Sequence, residues 1–89
     1  MDEIREHRIG TVSHWYSHLG VAAIDLTDGD LHVGDQVHII GHTTDLMQPI
    51  HSMQIDHHPV HEAHPGESVG VKVGDHVREH DEVYIVDEG

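Results

Sequence analysis

Residues 69–77 read Val69-Gly70-Val71-Lys72-Val73-Gly74-Asp75-His76-Val77, and the reading of this stretch decides the fold class. Val69, Val71 and Val73 recur with a period of two, so they share one face of an extended strand while Gly70 and Lys72 share the other. Gly74 then permits a positive φ, Asp75 closes a turn through its side chain, and Val77 opens the next strand. The same fragment, Val-Gly-Asp-x-Val, also runs from Val33 to Val37. The flanks of the two copies do not match, and two copies are too few for a solenoid. Both are read as one local turn device used twice.

Working outward, the same alternation appears in Gln36-Val37-His38-Ile39, in Ile50-His51-Ser52-Met53-Gln54-Ile55-Asp56 and in Val83-Tyr84-Ile85-Val86. A first strand is expected from Arg8 to Tyr16 and a second from Gly20 to Leu26. Turn signals separate the runs: His18-Leu19-Gly20, Asp28-Gly29-Asp30, Val33-Gly34-Asp35, Gly41-His42, His64-Pro65-Gly66 and Val73-Gly74-Asp75. No long segment carries a helical stripe with caps. Pro49 interrupts the region from Thr43 to Asp56, which predicts a bulge, a bend or an edge position there. Short strands with glycine turns read as an all-β barrel or sandwich, and closure is favoured because a small chain gains by hiding its strand edges. The expected core is Ile9, Val12, Ile24, Leu26, Val37, Ile39, Met53, Ile55, Val69, Val71, Val83 and Ile85.

With 89 residues the chain has room for one core. We divide it into a short N-terminal segment, 1–7, and a single domain, 8–87. Cysteine is absent, which removes disulfides and thiolate metal sites. No apolar run approaches the roughly 18 residues needed to cross a bilayer, and the charged start lacks the apolar stretch of a signal peptide. A cytoplasmic protein without membrane attachment is the expectation. Seventeen acidic residues face four basic ones, for a formal charge of −13. The acids are scattered among strands, so they read as a salt-adapted, halophilic surface and not as an acidic disordered tail. Thirteen histidines make the charge strongly pH-dependent.

Several pieces together resemble a known family. They are Ile9-Gly10-Thr11-Val12, then Gly29-Asp30-Leu31-His32-Val33-Gly34-Asp35-Gln36-Val37-His38-Ile39, then Met53-Gln54-Ile55, then Ala63-His64-Pro65-Gly66-Glu67-Ser68-Val69-Gly70-Val71, and last Val77-Arg78-Glu79-His80-Asp81-Glu82-Val83. In this order they resemble the second domain of translational GTPases such as elongation factor Tu. His80 departs from that pattern, which has glycine at its position. The resemblance implies a six-stranded antiparallel Greek-key β-barrel and a free-standing elongation-factor-like protein. Related barrels also occur as appended C-terminal domains, including in the collagenase-like peptidase family associated with tRNA modification. No phosphate-binding G-x-x-x-x-G-K-[ST] loop is present, so no GTP is bound by this chain, and no cofactor is expected.

The resemblance implies a non-catalytic binding module, contacting tRNA, ribosomal RNA or the ribosome, or an RNA-modifying or peptidase-like partner protein. Candidate contact residues are Arg8, His14, Tyr16, His18, Lys72 and Arg78: an aromatic exposed opposite Trp15, two flanking histidines, and the basic groups of the barrel region. Trp15 itself is expected to cap the core. Adjacent Ser13-His14 and Ser17-His18 point to opposite faces of a strand, so neither makes a nucleophile–base pair, and no active site is expected. The histidine-rich stretch from His57 to Glu67 falls in the connection between the fourth and fifth strands. A metal-binding or buffering protein is the alternative function, with His57, His58, His61 and His64 as the candidate ligands. Pro59 breaks the helical i, i+4 alignment of His57 and His61, and no metal site is expected.

Overall fold

The computed structural model describes residues 3–88. Among them ten strands form and no helix: β1 (Ile4–Tyr16), β2 (Val21–Leu26), β3 (Leu31–His32), β4 (Gln36–Ile40), β5 (Asp45–Pro49), β6 (Met53–Ile55), β7 (His58–Val60), β8 (Glu62–Ala63), β9 (Ser68–Lys72) and β10 (Glu82–Glu88). Eight lie in one antiparallel sheet in the order β5-β4-β10-β1-β2-β9-β6-β7, and β3 with β8 forms a separate ribbon.

The all-β, antiparallel expectation holds, but the six-stranded closed barrel does not. The backbone ladder ends at β5 on one side and β7 on the other. Each end strand carries a proline, Pro49 and Pro59, which lacks the N–H that a further ladder needs. Side chains bridge part of the gap. Gln48 of β5 donates from Nε2 to the Lys72 carbonyl at the end of β9 (3.0 Å), and its Oε1 accepts from the Gly74 N–H (2.7 Å).

β1 begins at Ile4, ahead of the expected Arg8, and it holds the sheet's two halves together. Its first part pairs with β10, from Ile4 opposite Glu88 to Thr11 opposite Glu82, and its second pairs with β2, from Gly10 opposite Leu26 to Tyr16 opposite Val21. Register shifts between Arg8 and Gly10 and between Val12 and His14 bend the strand, as bulges do, so one strand serves both halves of a curled sheet.

Alternation then fills the interior. The expected core residues are buried except Ile55 and Ile85, which are partly buried and pack against it. Ala22, Leu31, Ile50, Ala63, Val73 and Val77 join them. Leu31 and Ala63 stand opposite each other in the β3–β8 ribbon and are fully buried, so one face of the ribbon closes the core. Trp15 packs on the core from a half-buried position and stacks on His76 with ring centroids 5.6 Å apart.

Two local readings change. The stretch from His57 to Glu67 is more than a loop: β6 turns back through Asp56 and His57, with φ of 50° and 65°, into β7, and β8 follows. Positive φ at both central residues is the type I′ hairpin geometry usually written Asn-Gly, so Asp-His hid it. The two Val-Gly-Asp-x-Val copies also differ. Gly34 has φ 97° and leads into β4, whereas Gly74 has no positive φ and Val77, though buried, starts no strand.

Candidate functional site

The outer face of β2, β9 and β6 carries a trough. Cross-strand pairing sets Val21 opposite Lys72, Ala23 opposite Gly70 and Gln54 opposite Gly70. Their neighbours Ala22, Ile24, Val69 and Val71 point into the core, so by strand alternation this row faces outward. Ala23 and Gly70 put almost no side chain there. Taller residues flank them: Tyr16 and Leu19 on one side, Gln54, Asp56 and His57 on the other. Two adjoining lobes result, of about 450 and 470 Å³, and Leu19, Val21, Gln54 and Gly70 line both. That is the size range of ordinary ligand clefts.

The β1–β2 turn supplies the rim. Leu19 and Gly20 both donate their N–H to the Tyr16 carbonyl (3.1 and 2.9 Å), and Gly20 takes φ 64°. This tight turn leaves Tyr16 47% and Leu19 59% exposed, an apolar lip in a chain otherwise dominated by charge. His14 meets Tyr16 edge-on at 4.4 Å and lies 3.3 Å from Glu79 through Nδ1. One lobe is bounded by His18, Lys72, Ser52, Met53 and Pro59, and the other by Asp56, His57 and Ser68. The trough therefore has an apolar floor, a basic group in one lobe and an acidic group in the other.

Of the residues expected to form a binding patch, Tyr16, His18 and Lys72 line the trough and His14 supports Tyr16. Arg8 and Arg78 are elsewhere. Arg8 is clamped by Glu82 and Asp28, and the Glu82 hydrogen bond in particular holds its pKa above the usual arginine value. Arg78 donates from Nε to Thr43 Oγ1 (2.8 Å). The basic residues thus do not converge, and the trough contains a single permanent cation. Leu19, Val21, Ala23, Gln54 and Gly70 escaped the sequence reading. The signal for them was the glycine inside a strand, which marks a close approach to the backbone.

The candidate metal ligands are dispersed. His57 faces the trough, His58 is an exposed residue of the edge strand β7, and His61 accepts the Val33 N–H at its carbonyl (3.0 Å). His64 hydrogen-bonds Asp30 through Nδ1 (3.1 Å), and this contact raises its pKa. Among the described residues, no three histidine, aspartate or glutamate side chains gather closely enough to hold a metal ion.

No protein-family profile matches the chain. It is 45% identical over 85 residues to an uncharacterized protease of Methanocaldococcus jannaschii, covering 94% of this chain and 21% of that protein. It is 31% identical over 80 residues to a collagenase of Porphyromonas gingivalis, covering 89% of this chain and 22% of that protein. The chain thus spans about a fifth of the length of these curated relatives. Its fold matches the C-terminal domain of a Geobacillus thermoleovorans protein described as a U32 peptidase, with a TM-score of 0.80 at 20% identity over 86% of this chain and 89% of that one. The selenomethionine form of that domain matches with a TM-score of 0.81.

These likenesses correct the earlier expectations. The relatives are proteases and collagenases, and the structural neighbour is a peptidase's C-terminal domain; elongation factor domain 2 is not the counterpart. A translation-factor-like module contacting tRNA or the ribosome falls with it. The expectation that the chain stands apart from enzymes falls too, because the relatives carry enzyme names. The physical reason is that Gly-Asp-x-Val and Pro-Gly-Glu fragments are generic turn chemistry. Their order and spacing do not distinguish one curled antiparallel sheet from another.

Proposed function

We propose that this chain works in peptide-bond hydrolysis, as the β-domain of a peptidase system of the U32 kind, and that its trough holds an extended polypeptide segment. The observation that carries this reading is the trough: a floor kept low by Ala23 and Gly70, with an exposed apolar lip at Tyr16 and Leu19. Likeness to proteins named protease and collagenase supports polypeptide as the ligand class. Small floor residues let a backbone approach the sheet closely, and aromatic and aliphatic lips give its side chains somewhere to pack. A peptidase-like protein is the partner this reading implies.

The test is fluorescence anisotropy with labelled gelatin fragments and an unrelated unstructured peptide. Saturable binding is expected, weakened by Leu19→Ser, which alters only the lip, and by Gly70→Val, which fills the floor. Arg78→Ala, outside the trough, is expected to leave binding unchanged. Absence of binding to any polypeptide, or binding indifferent to both trough variants while they remain folded, overturns the reading.

A further inference from the structure

We infer that Lys72 is a carboxylate anchor, so that the trough selects polypeptide segments presenting a carboxylate beside an apolar side chain. The inference rests on the polypeptide reading of the trough and adds its chemical selectivity.

Lys72 is the only lysine in the chain and one of four basic residues set against seventeen acidic ones. Arg5 pairs with Glu3, and Arg8 with Glu82 and Asp28. Arg78 lies outside the trough and donates to Thr43, which leaves Lys72 as the basic side chain that both lines the trough and is not neutralised by an acid of the described residues. Lys72 has no carboxylate at ion-pair distance among the described residues. Its Nζ instead donates to the main-chain carbonyl of Leu19 (2.8 Å). That contact fixes the ammonium at the lip without neutralising it. An ammonium carries three donors, so two remain for a ligand.

The position matters as much as the charge. Lys72 sits at the end of β9, opposite Val21, in the lobe that also holds His18, Leu19, Met53 and Pro59. A group bound there meets a cation and an apolar wall together. Gln48 holds the Lys72 carbonyl from the other side of the sheet gap (3.0 Å), so the main chain below the ammonium is restrained. The long-range field of a chain with formal charge −13 opposes anions, but it is screened within about 10 Å at ordinary salt, whereas a direct ammonium–carboxylate contact is short-ranged. The carboxylate has two possible sources: the C-terminus of the bound polypeptide or an Asp or Glu side chain. Both present the same planar anion to the same ammonium.

The experiment uses three labelled peptides of one apolar sequence: a free C-terminal acid, the C-terminal amide, and the amide with glutamate near its end. Each is titrated into the wild-type chain, Lys72→Met, Lys72→Arg and Leu19→Ser. A contact with an exposed ammonium corresponds to about two- to fivefold in affinity. The free acid is expected to bind about two- to fivefold more tightly than the amide if the terminus is the source, and the glutamate peptide if a side chain is. Lys72→Met is expected to abolish that preference and Lys72→Arg to keep most of it. Amidation changes only the ligand, so the test stands even if Lys72→Met fails to fold. Equal binding of all three peptides, still weakened by Leu19→Ser, overturns the anchor and leaves the trough reading intact. Binding of none of them overturns both.

Discussion

Replacing Gly10 by alanine would force apart the two strands on which the curled sheet depends. Gly10 lies where β1 passes from β10 to β2, paired with Val83 on one side and Leu26 on the other. A Cβ there would stand 2.1 Å from the Asp25 carbonyl oxygen, 3.0 Å from the Asp25 carbonyl carbon and 3.1 Å from Leu26 Cα. All three atoms are main chain, so no rotamer relieves the clash. Carbon–oxygen contacts between strands settle near 3.3 Å or beyond, which requires β1 and β2 to separate locally by about an ångström. The N–H groups of Thr27 and Asp28, both bound to the Ile9 carbonyl (2.9 and 3.0 Å), lie beside that displacement. Overpacking of this kind costs about 1–3 kcal/mol, and a main-chain clash belongs at the upper end. Stiffening the unfolded chain returns about 0.4–1 kcal/mol. The net loss is then about 2–3 kcal/mol, or a fall in Tm of roughly 10–20 °C for a domain of this size. Gly34→Ala is the control. Its Cβ would meet nothing within 4 Å, but its φ is 97°, so only the backbone penalty applies, about 1 kcal/mol or somewhat more. Thermal and urea melts followed by circular dichroism compare the two. A Gly10→Ala protein as stable as wild type, or a Gly34→Ala protein less stable than Gly10→Ala, refutes the steric argument.

Two further outcomes follow from side chains that tie the sheet across its strands. His38 hydrogen-bonds Asp45 through Nε2 (2.5 Å) and Glu6 through Nδ1 (2.8 Å), and these carboxylates, Asp45 first, raise its pKa above the ordinary 6.5. Its stabilising contribution is therefore fully present below about pH 6.5 and lost as pH rises through the folded-state value. The urea midpoint of wild type minus that of His38→Gln should shrink from about pH 6 to pH 9; a difference that grows over that range contradicts the linkage. Gln48→Leu removes both side-chain bonds that span the gap between β5 and the end of β9, with an expected loss of about 1 kcal/mol. Hydrogen exchange should show the Gly74 amide opening faster in that variant, and unchanged protection would mean the bridge does not restrain the gap.

What the sequence reveals about the fold depends on the length over which a pattern runs. Val69 to Val73 alternates long enough to fix both the strand and its buried face, and all three valines are buried. Short elements defeat the same logic. β3 and β8 have two residues each, too few for any periodicity, yet the Leu31–Ala63 pair they contribute is among the best-buried in the molecule. His80 shows a different limit. It adopts φ 75° and donates its N–H to the Val12 carbonyl (2.8 Å). That is a glycine-like conformation, at the position where the motif comparison set a glycine and this chain carries histidine. Closure was the least legible property, because whether a curled ladder seals depends on its two end strands. The prolines that end it were visible in the sequence, but which strands would lie at the ends was not.

The site was half legible for a related reason. Tyr16, His18 and Lys72 stood out by residue type, but type alone grouped them with Arg8, whose guanidinium is already taken by Glu82 and Asp28. What separates Lys72 from Arg8 is the partner, and partners are set by cross-strand register. Gly70 makes the stronger case. Glycine inside a strand forgoes about 0.5–1 kcal/mol relative to alanine, and the fold does not require it here. An added Cβ would sit 3.4 Å from Gln54 Cγ and Val21 Cγ1, ordinary contact distances that the structure can accept. A side chain at residue 70 would instead stand in the trough. The space above Gly70 is the one shared by both lobes of the trough, so a ligand running from the Lys72 lobe to the Asp56 lobe has to pass over it.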